Sequence, residues 1–234
     1  MIRAFLILLG LTSSVVIPLQ AAEVGVTQVL FEERESGIDP YVTRMLLNKR
    51  YLRIDEGVDE GDFVLFDRVL GRIHNINHEE RTEVVIERKP PVVADLPDVE
   101  FSTEREVQNA VPTIGGIVAV EHRFFSEGAL CQRSINFDGL LPQFVDALRL
   151  YREVLVAQSL ASLDSVPEEF KTPCYLALNV THANAFLEPG FPAMMADEQG
   201  RMRLLLEFNK LELSADLFKL PDGYERYYAG DAIR

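Results

Sequence analysis

Only two cysteines, Cys131 and Cys174, occur in the 234 residues, and no C-x-x-C spacing joins them. The usual sequence form of a dithiol redox couple is therefore missing. Basic residues are also scarce, with 23 Lys and Arg against 37 Asp and Glu and a formal net charge of −14. Contacts to nucleic-acid phosphates need a basic footprint, so nucleic acid is excluded as a partner. There is no G-x-S-x-G nucleophile elbow, no phosphate-cradling glycine loop, no internal repeat and no low-complexity tract. Ser126, Ser134 and His122 are present, but no spacing joins them into a nucleophile and its base.

Long apolar runs are absent except at the start. Arg3 precedes the uninterrupted run Ala4–Leu11, and a weaker stretch through Pro18 ends in the small residues Ala21-Ala22. Residues 1–21 thus read as a cleaved secretion signal, and residues 22–234 as a single β-rich domain. Ser13, Ser14 and Pro18 interrupt the run too early for a membrane-spanning helix of ~20 residues. No Cys follows the run, so no lipid is expected at a mature N-terminal Cys. Removing Arg3 with the signal leaves 22 basic against 37 acidic residues. In an exported protein the isolated Cys131 and Cys174 are most simply a disulfide; two buried thiols or a redox couple are the alternatives.

What the chain does contain is strand pattern. Lys49–Arg88 holds short segments rich in β-branched and aromatic residues, cut by polar turns, as in an antiparallel meander. Strands are expected at Val26–Glu33, Tyr41–Asp55, Phe63–Phe66, Ile73–Ile76 and Thr82–Glu87. Both alternating sets of Phe63-Val64-Leu65-Phe66 are apolar, so this strand should be covered on both sides. On the preceding strand Tyr51, Arg53 and Asp55 share a polar face. Lys89-Pro90-Pro91 ends the meander, and Pro91–Pro112 reads as an irregular loop with a short helix near Thr103–Ala110.

Further strands are expected at Ile117–Phe125 and Leu130–Asn136. Leu141, Phe144, Val145, Leu148 and Leu155 recur at helical spacing, placing one main helix within Asp138–Leu163, capped by Asp138 or Gly139 with Pro142 in its first turn. Strands should follow at Cys174–Val180, Gly190–Ala196, Arg201–Phe208 and Leu211–Phe218. In the third of these, Met202, Leu204, Leu206 and Phe208 alternate with polar residues.

Two clusters invite a metal and fail on spacing. His74 and His78 are four apart, which on a strand separates them by ~13 Å. The acidic turn Asp55–Asp62 lacks the register of an EF-hand loop and its closing bidentate Glu. The expectation is no catalytic residue, no metal and no cofactor.

Three pieces occur in order: the meander with its DGDFVLFD and RIHNINHEER turns, the Gly190-Phe191-Pro192 strand with the Asp197–Gly200 turn, and Leu217-Phe218-Lys219-Leu220-Pro221-Asp222-Gly223-Tyr224. Together they resemble the LolA-like class of bacterial envelope proteins, which includes the periplasmic lipoprotein carrier. The resemblance implies an α+β fold, a strongly bent antiparallel sheet forming an unclosed half-barrel with one main helix on its concave side. It also implies a bacterial periplasmic location and a concavity that holds acyl chains. The Cys131 and Cys174 pair and the Pro91–Pro112 insertion depart from the carrier itself.

A bent sheet incompletely closed by one helix leaves an apolar concavity, the common form of a lipid site. Phe63, Leu65, Phe144, Leu148, Leu204 and Leu206 are the candidate lining residues. The leading expectation is a non-catalytic periplasmic carrier for an acyl chain, lipid or lipoprotein. The alternative is an envelope scaffold or assembly factor of the same fold, with a filled core and a protein partner.

Overall fold

A computed structural model describes residues 22–88 and 98–230. The expected signal at 1–21 and the first part of the Pro91–Pro112 loop lie outside the described residues. Six strands form the meander: β1 (Glu23–Arg34), β2 (Tyr41–Leu47), β3 (Tyr51–Asp55), β4 (Phe63–Asp67), β5 (Arg72–Asn77) and β6 (Thr82–Glu87). A second antiparallel run contains β7 (Phe101–Val107), β8 (Ala119–Ser126), β9 (Ala129–Phe137), β10 (Phe191–Asp197) and β11 (Met202–Ser214). β1 pairs with β11 and joins the two runs. β12 (Glu225–Tyr228) is added beside β6, giving one unclosed 12-stranded sheet with β12 and β7 at its edges. This bent sheet with one main helix, α1 (Pro142–Ser162), is the expected α+β half-barrel. It is mixed rather than purely antiparallel, because β12 runs parallel to β6.

Several boundaries differ from the sequence expectation, each for a local reason. The stretch Tyr41–Asp55 is two strands: Asn48 Oδ1 accepts from the amides of Arg50 (2.8 Å) and Tyr51 (2.7 Å), reversing the chain. Thr103–Ala110 is not helical, since Phe101–Val107 pairs in register with Ser126–Val120 of β8. Its exposed Glu104 and Glu106 give that sheet edge charge, which discourages strand addition. Cys174–Val180 is not a strand. Thr172 accepts the Tyr175 amide (3.1 Å) and Pro173 occupies the first turn, starting the short helix α2 (Pro173–Leu176), which runs into a π-helical turn at Ala177–Thr181. β11 is one strand rather than two, because Asn209 and Lys210 pair with Gln28 and Thr27 instead of turning. α1 is preceded by Leu141 at φ 46° with no side-chain cap, so neither Asp138 nor Gly139 serves as one. Pro142 does open its first turn.

The sheet is buried on both faces over β1–β5. On the inner face α1 lays Phe144, Val145, Ala147 and Val154 against Val29, Phe31, Met45, Leu52 and Phe66. On the outer face Val26, Leu46, Phe63, Leu65 and Ile76 are covered by Phe218 with Leu217, Leu220 and Tyr224. β4 contributes to both clusters, as its two apolar faces require. The outer cover is the C-terminal segment, which leaves β11, crosses the sheet as a 3-10 turn at Ala215–Phe218, and finishes as β12.

That strap is held by polar groups buried on the outer face. Arg53, 2% exposed, donates to Asp55 (2.6 Å), to the Leu217 carbonyl (2.7 Å) and to the Asp59 carbonyl (3.0 Å). Its guanidinium lies 4.0 Å from the Phe63 ring centroid, a cation–π contact. His78 Nδ1 meets the Tyr224 hydroxyl at 2.6 Å, and Glu83 bridges His74 (2.7 Å) and Arg226 (2.8 Å). The histidines and the acidic turn that suggested metal chemistry are therefore fastened to the C-terminal segment. The polar face of β3 is not solvated, because the strap covers it.

Acid sensitivity follows. Burial works to raise the pKa of Asp55, but hydrogen bonds from Arg44, Arg53 and the Gly57 amide outweigh it and hold the carboxyl below its ordinary value. Asp67 is likewise lowered against burial, by Arg50 and the Leu70 and Val69 amides. Groups with depressed folded pKa values stabilise fully above their unfolded value, ~3.9, and lose that contribution as pH falls through the folded value. Urea midpoints measured from neutral to strongly acidic pH should drop below about pH 4, and Asp55→Asn combined with Asp67→Asn should flatten that limb.

Candidate ligand cavity

Between the inner face and the helices lies a cavity of about 510 Å³. β1, β2, β3, β4 and β10 supply its floor through Phe31, Met45, Ile54, Val64 and Met195. Leu148 and Tyr151 of α1, with Leu178 and Phe186 from the segment after it, form the roof. The volume falls within the ~300–1,000 Å³ typical of small-molecule sites. These side chains converge because Phe31, Met45, Ile54 and Val64 occupy inward positions across four neighbouring strands, paired through Phe31–Thr43, Met45–Ile54 and Ile54–Val64.

The rim is charged and mostly self-matched. Arg203 donates to Glu33 at 2.6 Å and lies 5.3 Å from the Phe31 ring centroid. Arg201 donates to Asp197 at 2.7 Å. Tyr41 donates to Glu35 at 2.6 Å, and that hydrogen bond, with burial, pushes the phenol pKa up to about 12. Burial also raises the Tyr151 phenol.

A second, more open cleft of about 600 Å³ lies at the other end of β1, around Gly25, Thr27, Leu47 and Gln143. Its walls carry Lys49, Arg68 and Lys210 opposite Glu212, which suits water and ions better than hydrocarbon.

The six residues named from sequence do not line one cavity. Leu148 is in the roof of the inner cavity, and Phe144 packs in the adjoining core, with its ring centroid 6.1 Å from that of Phe191. Phe63 and Leu65 lie under the strap on the opposite face. Leu204 and Leu206 point outward and are 36% and 48% exposed. A β-bulge is the cause: Leu30 faces Glu207 while Phe31 faces Leu205, so β11 holds Leu206 as an extra residue. Inward alternation then passes from Phe208 to Leu205, and the expected Leu204/Leu206 pair turns outward.

Phe31, Met45, Ile54 and Val64 were missed because only the inner parity of each strand reaches the cavity. Arg152 was missed despite a visible signal: four residues after Leu148, it interrupts the apolar stripe of α1.

Cys131 and Cys174 form a disulfide with a Cα–Cα distance of 5.1 Å. It ties β9 to α2 and thereby fixes the start of the segment that supplies Leu178 and Phe186. Among the described residues no helix is long and apolar enough to cross a membrane.

No protein-family model matches the sequence, and no curated protein matches it. Among solved structures, PNGF-II in a C2 crystal form aligns with a TM-score of 0.43 at 10% identity, over 88% of this chain and 31% of that one. PNGF-II in a P21 form aligns with a TM-score of 0.44 at 8% identity, over 87% of this chain and 31% of that one. The chain thus spans under a third of the length of the structures it matches, and so distant a likeness carries no functional argument.

Proposed function

We propose that this is an exported, non-catalytic carrier of the bacterial periplasm that holds an acyl chain, lipid or lipoprotein in its inner cavity. The observation that carries the reading is the 510 Å³ space with an apolar floor and roof, left where α1 and the following segment cover the sheet incompletely. Hydrocarbon entering such a space is driven by removal of apolar surface from water, ~25 cal/mol per Å², with no covalent step. The resemblance to LolA-like proteins belongs to this proposal, supported by the unclosed sheet with its helix on the inner side. Export is supported by the apolar leader Ala4–Leu11 and by a disulfide, a bond that persists in oxidising compartments.

Delipidated protein titrated with a dansylated fatty acid should enhance and blue-shift the fluorescence. Leu148→Trp, which fills the roof, should weaken uptake by about tenfold or more while leaving the thermal midpoint close to that of the parent. A parent protein that takes up no fatty acid would overturn the carrier reading.

A further inference from the structure

The wall of the inner cavity carries a guanidinium that no carboxylate among the described residues matches. Arg152 rises from α1 into its wall. Its Nη2 donates to the Leu178 carbonyl at 2.6 Å, and its guanidinium lies 5.2 Å from the Phe186 ring centroid. Nε is sealed from solvent without a hydrogen-bond partner. Nearby carboxylates are engaged elsewhere: Glu153 with Arg88, Glu33 with Arg203, Asp197 with Arg201. A guanidinium held in an apolar wall without a counter-ion is costly, and a bound anion removes that cost. Burial accordingly lowers the Arg152 pKa from its usual value.

The geometry points to a free fatty acid as the ligand, its chain along Phe31, Met45, Ile54 and Leu148 and its carboxylate against the Arg152 guanidinium. This deepens, and rests on, the carrier reading. A planar guanidinium matches a carboxylate through two parallel hydrogen bonds. A single negative charge fits better than a phosphate dianion, since Arg152 alone of the three lining arginines lacks a carboxylate partner among the described residues. Glu35, bonded to the Tyr41 hydroxyl rather than to a cation, would repel a second charge.

Calorimetric titration of delipidated protein with dodecanoate, 1-dodecanol and dodecyl phosphate tests the assignment. Dodecanoate should bind at least roughly tenfold more tightly than the alcohol, the value of one charge-assisted hydrogen bond, and more tightly than the phosphate. In Arg152→Leu that preference should vanish, with dodecanol binding unchanged or tighter. Equal affinity for acid and alcohol in the parent would overturn the inference and leave the carrier reading standing. Tighter binding of dodecyl phosphate would overturn the carboxylate assignment, and a preference that survives in Arg152→Leu would remove Arg152 from it. No binding of any of the three would overturn both readings. The parent comparison decides the charge preference even if the variant fails to fold.

Discussion

Arg53→Ala is expected to lower the unfolding free energy by about 3–5 kcal/mol, the cost of breaking a buried ion pair from one side. The side chain is central to the outer face: it neutralises Asp55, holds the Leu217 and Asp59 carbonyls, and covers the Phe63 ring. Asp55 keeps its two-pronged contact with Arg44, at 2.8 and 2.9 Å, so the loss is not that of a fully stranded charge. Both carbonyls lose a donor, however, at about 1–3 kcal/mol for each group left unsatisfied. Arg53→Met separates packing from polarity, because it retains most of the stem while still stranding the carbonyls. Urea denaturation reads the total effect. Hydrogen exchange reads its place, with amides of Lys219 and Glu225 losing protection ahead of those in β8 and β9. A loss under about 1 kcal/mol, the level of an exposed pair, would mean that the strap does not depend on this cluster.

The disulfide should matter comparably. Its cysteines are 43 positions apart, and a loop of that size corresponds to about 4 kcal/mol in the chain-entropy account. For a domain of this length that is a fall of about 8–16 °C in the thermal midpoint of the Cys131→Ser/Cys174→Ser double variant. The functional consequence is specific. Cys174 begins the segment that carries Leu178 and Phe186, which are part of the cavity roof and contact Arg152. Releasing it should weaken fatty-acid uptake even at temperatures where the sheet stays folded. Melting curves with and without reductant, alongside the dansyl titration, check both parts. Unchanged uptake in a destabilised double variant would show that the roof does not need the bridge.

The pattern of success and failure in the sequence has physical causes. Short strands with alternating residues and polar turns were readable because their signal is local, and β6 begins and ends where Thr82–Glu87 predicted. The stripe on α1 was readable for the same reason, whereas the cysteine pairing was readable because an exported chain with two cysteines offers one possible bridge. Features set by distant parts of the chain were not. Asn209-Lys210 looks like a turn and becomes mid-strand only because Gln28 and Thr27 lie opposite. The bulge at Leu206 reverses which leucines face inward without altering the composition of the strand. Arg53 and Asp55 read as part of a polar face, and are buried because residues 215–224 return across them. The cavity suffered most, since its walls come from four neighbouring meander strands, β10, α1 and an irregular segment, each contributing one parity or one turn.

The claim that the protein is a container is tested most directly by a spin-labelled stearate and methyl-resolved nuclear magnetic resonance. The label should broaden the methyl signals of Met45, Ile54, Leu148 and Met195, which surround the inner cavity. Leu46, Ile76 and Leu213, beneath the strap on the other face, should be broadened less at every label concentration. Broadening confined to the exposed Leu204 and Leu206, or no broadening at saturating ligand, would contradict an inner acyl site.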